Sequence, residues 1–257
     1  MVRSLYTAAT GMVNQMNRMD VITNNLANSD TTGYKKEGAS SQAFDRVLGI
    51  KINDSSVEYI PQGIGRMSLG VKIGETYTDY SDGNLRETGN TCDIALGGKG
   101  FFAISYADKN GTESERYTRD GNFVVNSEGV LMTRDGDFVL AEDGGLITIP
   151  DGVSITVDET GRIMGDGQEL ARLKLVDFED YNYLKKFGEN MYIAIDGATE
   201  TAPSCKVYQG YLEASNVNVI SEMVDMIATT RDYESNQKVI QSIDSTLEKS
   251  VTLGKMI

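Results

Sequence analysis

Apolar side chains near the start of the chain fall at Leu5, Ala8, Met12, Met19, Ile22 and Leu26, with Met1 extending the row and Gln15 interrupting it. Spacings of about three and four draw one narrow stripe along a helix, the seam used in coiled-coil packing. Asn14, Asn17, Arg18, Asp20 and Asn24 take much of the remaining surface. The pattern predicts a helix over 3–27, about 38 Å long at roughly 1.5 Å per residue. It ends in ANSDTTGYKK, residues 27–36. There the side chains of Asn28, Ser29 and Asp30 compete for backbone hydrogen bonds, and Thr31-Thr32-Gly33 supplies a turn. Gly33 is expected at positive φ, which glycine adopts without steric cost.

A matching stripe closes the chain, through Val219, Met223, Met226, Thr230, Tyr233, Ile240, Ile243, Leu247 and Val251. Ser215 and Asn216 are read as its caps, with Glu222 and Asp225 near the positive end of the helix dipole and Gly254 ending it. Between the two stripes the period changes. Short β-branched and aromatic runs (FFAISY, FVVN, LITI, VSITV, LKLVDF, MYIAI) alternate with Asp-Gly at 82–83, 120–121, 135–136, 143–144, 151–152, 166–167 and 196–197, and with Asn110-Gly111. Those dipeptides favour the positive φ of tight hairpin turns, so the middle reads as an all-β domain of hairpins. In residues 37–75, AFDRVLGIKI fits a short helix or a strand, and the stretch reads as an extended connector.

The expected fold class is therefore α+β: terminal helices pairing as a coiled-coil-like core domain around a central β-domain. The expected divisions are 1–36, 37–75, 76–211 and 212–257. Isolated helices with a single apolar stripe lack a sufficient partner in a monomer. Stripes at both ends of the chain thus read as parts that pair with each other and with other copies, and repeated head-to-tail contacts build rings or filaments.

Composition narrows the function. A formal net charge of -14 over 257 residues repels phosphate backbones, which argues against nucleic acid. No stretch approaches the ~20 apolar residues of a membrane span, and the first fifteen residues are too polar for a signal-peptide core. Histidine is absent, removing the commonest general base and zinc ligand. Cys92 and Cys205 have no CxxC or partner cluster, and two free buried thiols are expected, with a disulfide between them as the alternative. LGGKGFF, residues 96–102, runs into strand-forming residues rather than a phosphate-binding helix. The Asp-rich turns lack the ligand spacing of a calcium loop, and no carboxylate pair stands out for glycosidase chemistry. No catalytic, cofactor or metal residues are assigned, and no small-molecule substrate is expected. A soluble α+β enzyme or carbohydrate-binding module remains the alternative class.

Segments at both ends and in the middle of the chain resemble the bacterial flagellar rod and hook proteins. SLYTAATGMVNQMNRMDVITNNLANSDTTGYKK is similar to their N-terminal signature, an Asn-Asn-Leu-Ala-Asn run (Asn24, Asn25, Leu26, Ala27, Asn28) followed by Thr31, Gly33, Tyr34 and Lys35. YQGYLEASNVNVISEMVDMIATTRDYESNQKVIQSIDSTL resembles their C-terminal helix with its lead-in at Leu212–Val217. GNLRETGNTCDIALGGKGFF and RYTRDGNFVVNSEGVL resemble their β-domain. The resemblance implies a subunit that polymerises helically into the drive shaft of the basal body, transmitting torque and enclosing the export channel. Its partners would be further copies, other rod and hook subunits, and the type III export apparatus, which takes such chains without a cleaved signal. The SNVN and DYESNQKV stretches look most like the distal section of the rod, with a proximal rod component as the alternative. Subunit contacts would run through Leu5, Met12, Met19, Ile22, Leu26, Val219, Met223, Met226, Tyr233, Ile240, Ile243 and Leu247.

Overall fold

The computed structural model describes residues 2–50, 63–107, 113–150 and 152–255. The chain divides into two compact units. One comprises Met1–Ala27, Glu37–Asp79 and Asn218–Ile257; the other comprises Asn28–Lys36 and Tyr80–Val217. The division departs from the sequence expectation at both ends: the ANSDTTGYKK turn and the 212–217 lead-in group with the β-domain, and residues 37–79 with the helices.

In the helical unit, α1 (Val2–Ala27) packs against α2 (Val219–Lys255). Three contacts fix their antiparallel register. A Cβ at Gly11 would lie 3.1 Å from the Asn236 amide, Gln15 donates to Asp232 at 3.2 Å, and Asn25 donates to Glu222 at 3.3 Å. Residues i and about 247 − i therefore stand opposite each other. The cap of α2 is Asn218, whose Oδ1 accepts from the backbone of Ile220 and Ser221 at 3.1 and 3.2 Å. Ser215 and Asn216, expected as caps, lie too early: Asn216 instead accepts from the Lys36 backbone at 2.7 Å. Gly254, expected as the terminator, lies inside α2 without a positive φ.

The 37–75 stretch carries more structure than a connector. Glu37–Ala43 pairs antiparallel with Val71–Thr78, and both strands pack on α1. Val47–Ile50 pairs with Gly63–Met67, which resolves AFDRVLGIKI into a strand as far as the described residues reach. EGASSQA has no alternation of apolar and polar residues, so its strand comes from its partner and from α1 rather than from its own pattern. Gly38 leaves space that the Tyr77 ring occupies.

The β-unit is antiparallel throughout its described ladders. Its largest sheet runs Leu184–Phe187, Met191–Ala194, Glu113–Thr118, Phe101–Ala107, Phe138–Val139, Leu131–Thr133, Phe123–Val125, with Leu175–Phe178 also on Phe101–Ala107. Phe101–Ala107 is buried on both faces because successive side chains alternate. Phe102 packs with Ile94, Phe123, Leu131 and Ile147 in one core, while Phe101 and Ala103 pack with Tyr117, Phe178 and Tyr192 in the other. Asp-Gly turns with positive φ occur at Gly136 and at Asp166-Gly167, where Arg162–Gly165 turns into Gln168–Arg172. Gly83 and Gly121 behave differently. Neither has a positive φ, and a Cβ at either would overlap a carbonyl oxygen, of Ala214 or Ile94 respectively. Those two pairs mark close backbone approach rather than hairpins. Asn110-Gly111 lies outside the described residues.

The division predicts an exchange boundary. In dilute full-length monomer, the Gly33 amide, which donates to the Glu213 carbonyl at 2.9 Å, should exchange as slowly as the β-core. Amides of residues 2–27 and 219–255 should exchange faster, as read by hydrogen-exchange mass spectrometry. Equal protection on both sides of residue 28 would show that the two units open together.

Candidate functional site

The β-unit brings together three sequence blocks that are far apart in the chain. Tyr211–Glu213 pairs with Leu85–Glu87 and carries the Glu213 carboxylate inside, 1% exposed. Lys35 reaches it at 2.6 Å, and Arg119 Nη1 donates to its other oxygen at 3.2 Å. Lys35 is also 1% exposed and Arg119 is buried. The Gly83 backbone donates to Glu213 at 2.8 Å, Lys35 donates to the Ser81 carbonyl at 2.8 Å, and Arg119 Nη2 donates to the Gly98 carbonyl at 2.9 Å. Half-exposed Asp82 stands 3.6 Å from Arg119, so two cations face two anions. Burial pulls the Lys35 ammonium below the usual lysine range, against the opposing pull of Glu213.

Neighbouring groups shape the turn. Gly33 has φ +66°, and a Cβ there would lie 2.5 Å from the Arg119 carbonyl carbon. The segment is thus a moulded turn with no room for a side chain at that point. Thr32 donates to Asp120 at 2.6 Å, and the Asn190 amide donates to the same carboxylate at 3.0 Å. Burial raises the Asp120 pKa, while the hydrogen bonds from Thr32, the Asn122 backbone and Asn190 oppose the rise. Tyr34 is fully buried, with the Lys186 ammonium 3.8 Å from its ring centre.

The signature residues divide between the units. Asn28 is buried in the turn and accepts from the Thr31 hydroxyl at 3.1 Å. Asn25, buried in the helical unit, pairs with the Glu37 backbone through both amide atoms, donating at 2.8 Å and accepting at 2.9 Å. It so behaves as an extra peptide group at the start of the strand. Asn24 and Ala27 are exposed, and Leu26 is half-buried.

Of the expected contact residues, Ile22 is buried; Leu5, Met12, Met19, Met226, Tyr233, Ile240 and Ile243 are half-buried; Val219, Met223 and Leu247 are exposed. The face between the helices is more polar than the apolar stripes suggested. Asn14, Asn25, Glu222 and Thr229 are its buried polar members, and Asn14 exchanges hydrogen bonds with Ser41 at 3.0 and 3.3 Å. The apolar residues Ile220, Met223, Val224 and Ile227 are exposed instead.

The structure adds Glu213, Arg119 and Asp120 to the residues that matter, and gives Glu222, expected only near the helix dipole, a buried partner in Asn25. All lie inside the segments that resemble the family, but nothing in a single charged residue announces a buried partner. Elsewhere in the β-unit an open cleft of about 510 Å³ is lined by Glu142, Arg172, Glu159, Lys206 and Cys205, among others. Its charges are paired, Arg172 with Glu142 at 3.0 Å and Lys206 with Glu159 at 2.8 Å, and burial pushes the Cys205 thiol up, away from a reactive thiolate.

A chain whose two ends fold as one helical unit, and whose β-unit holds both connecting segments by buried charge, has the build of an architectural subunit. Comparison with known proteins agrees. Residues 5–35 match the family described as flagella basal body rod protein, residues 95–165 the flagellar hook protein FlgE/F/G D1 domain, and residues 208–253 the flagellar basal body rod FlgEFG protein C-terminal. The chain is 35% identical to the flagellar basal-body rod protein FlgG of Buchnera aphidicola subsp. Schizaphis graminum, over 97% of this chain and 98% of the relative. It is 34% identical to FlgG of Bacillus subtilis, over 99% of this chain and all of the relative, and 33% identical to FlgF of Caulobacter vibrioides, over 97% and 96%. The chain belongs to the flagellar basal-body rod protein family.

The charge cluster predicts an ordered mutant series. Glu213→Ala strands two buried cations and should destabilise the β-unit by about 3–5 kcal/mol. Lys35→Met leaves Arg119 paired with Glu213 and should cost about 1–2 kcal/mol. Urea unfolding of the full chain followed by circular dichroism measures both; equal losses would assign the cluster a packing role only.

Proposed function

We propose that the chain is a structural subunit that polymerises helically into the basal-body rod, in its distal section, transmitting torque around an enclosed export channel. The observation that carries this reading is the distribution of polarity on α2. Its α1-facing side buries Glu222 and Thr229, while Ile220, Met223, Val224 and Ile227 face outward, Ile220 being 76% exposed. A helix pair that spends polar groups internally and leaves apolar ones outside gains its stability from contacts with other chains. Relatives named FlgG match over nearly the whole chain, which supports the distal position; the match to FlgF supports a proximal rod component as the second reading. Other rod and hook subunits and the type III export apparatus are the further partners. Among the described residues no helix is long and apolar enough to cross a membrane. The role requires no cofactor or substrate.

Purified full-length chain should form filaments visible by negative-stain electron microscopy above a threshold concentration. Met226→Asp, which charges a half-buried position beside α1, should raise that threshold at least about tenfold, about 1.4 kcal/mol per subunit, with the β-unit still folded. Absence of the chain from purified rods would refute the reading.

A further inference from the structure

The two helices are unequal, and their register shows where the difference lies. With residue i opposite about 247 − i, the start of α1 is level with about residue 245. The helix α2 runs on to Lys255, roughly 15 Å further at ~1.5 Å per residue. The side of α2 that α1 covers continues into this overhang. Tyr233, Ile240 and Ile243 are half-buried, and Leu247 and Val251 follow at spacings of four on the same side. Leu247 and Val251 are exposed, Val251 at 59%. Beyond the level of Val2, the same side of α2 continues through Leu247 and Val251.

At the other end of α2, Ile220, Met223, Val224 and Ile227 fall at i, i+3, i+4 and i+7, a helix-packing stripe. At 100° per residue it lies about half a turn around the helix from Leu247 and Val251. The two stripes are of similar length, about two turns each, and occupy opposite ends and opposite sides of one helix. Self-pairing of one stripe alone would close a two-fold dimer and leave the other bare, and self-pairing of both would alternate the direction of successive copies. Pairing one with the other covers both and repeats without closing.

We infer that the overhang of α2 is covered by a second copy of this chain, whose Ile220–Ile227 stripe seats on Ile243, Leu247 and Val251 in line with α1. This rests on the helical-polymer reading and specifies its longitudinal contact. The next copy's α2 continues where α1 stops, displaced by about 27 residues, or roughly 40 Å. The contact is heterologous, so every added subunit presents a fresh overhang or a fresh stripe.

Disulfide trapping tests the pairing in the full chain. With Cys92→Ser and Cys205→Ser as background, Val224→Cys and Val251→Cys in one chain should give, after assembly and mild oxidation, a ladder of covalent multimers beyond the trimer. Each single variant should give at least tenfold less cross-linked product, and an equimolar mixture of the two should stop at the mixed dimer. Dimers from Val251→Cys alone, or filaments that form but do not cross-link between 224 and 251, would overturn the contact while leaving the polymer intact. Failure of the unaltered chain to form filaments at any concentration would instead overturn the polymer reading, and the contact with it. A charge pair provides a cysteine-free check: Ile227→Lys and Val251→Asp should each shorten filaments, and the double variant should restore their length. A double variant shorter than both singles would count against the pairing.

Discussion

The carboxylate of Glu213 is the charge on which the β-unit turns. Removed from water, it accepts from Lys35, Arg119 and the Gly83 backbone, and each of those donors comes from a different part of the chain. A buried ion pair contributes little net stability, because desolvation consumes most of the Coulomb gain. Its value is in what it forbids. An arrangement that lost Glu213 would leave two buried cations with only the half-exposed Asp82 to face them, so alternatives to the observed convergence of residues 35, 119 and 213 are costly. The moulded turn at Gly33 follows from the same convergence, since the Arg119 backbone occupies the space where a side chain would stand.

The helical unit is held by a different balance. Its interior uses Asn14, Asn25 and Glu222, groups that fix register by hydrogen bonding and contribute little apolar burial. Asn25 gives the clearest case: it ties α1 to the first strand residue, Glu37, and to Glu222 on α2. A pair built this way is well defined in alignment and weak in free energy. Weakness of that kind suits a segment that must exchange solvent for neighbouring chains, as the proposed role requires.

Much of this was legible in the sequence. Periodicity located both helices, α1 to within a residue of each end, and Gly33 announced its positive φ through its place after Asn28-Ser29-Asp30. Runs such as FFAISY declared strands, and the structure adds that this one is buried on both faces. What stayed hidden has physical reasons. EGASSQA has no pattern because its strand depends on tertiary partners. Asp82-Gly83 and Asp120-Gly121 look identical to the hairpin dipeptides, yet their glycines serve backbone packing, and a dipeptide carries no record of what approaches it. The apolar stripe of α2 pointed to residues such as Met223, whereas the face against α1 includes Glu222 and Thr229, because hydrogen bonds rather than area select it. Glu213 was invisible as a partner of Lys35, since a contact across 178 residues leaves no local trace.

That separation sets an order of events. Chains are made from the N-terminus, so Lys35 and Arg119 emerge well before the residue that neutralises them. Until Glu213 arrives, burying either cation is unfavourable, and closing so long a loop is among the slower steps a small β-structure takes. The turn at 28–36 therefore cannot settle early against a half-finished sheet. Its completion requires Tyr211–Glu213 to be paired with Leu85–Glu87, so the turn near the start of the chain and the strand before the C-terminal helix are completed together.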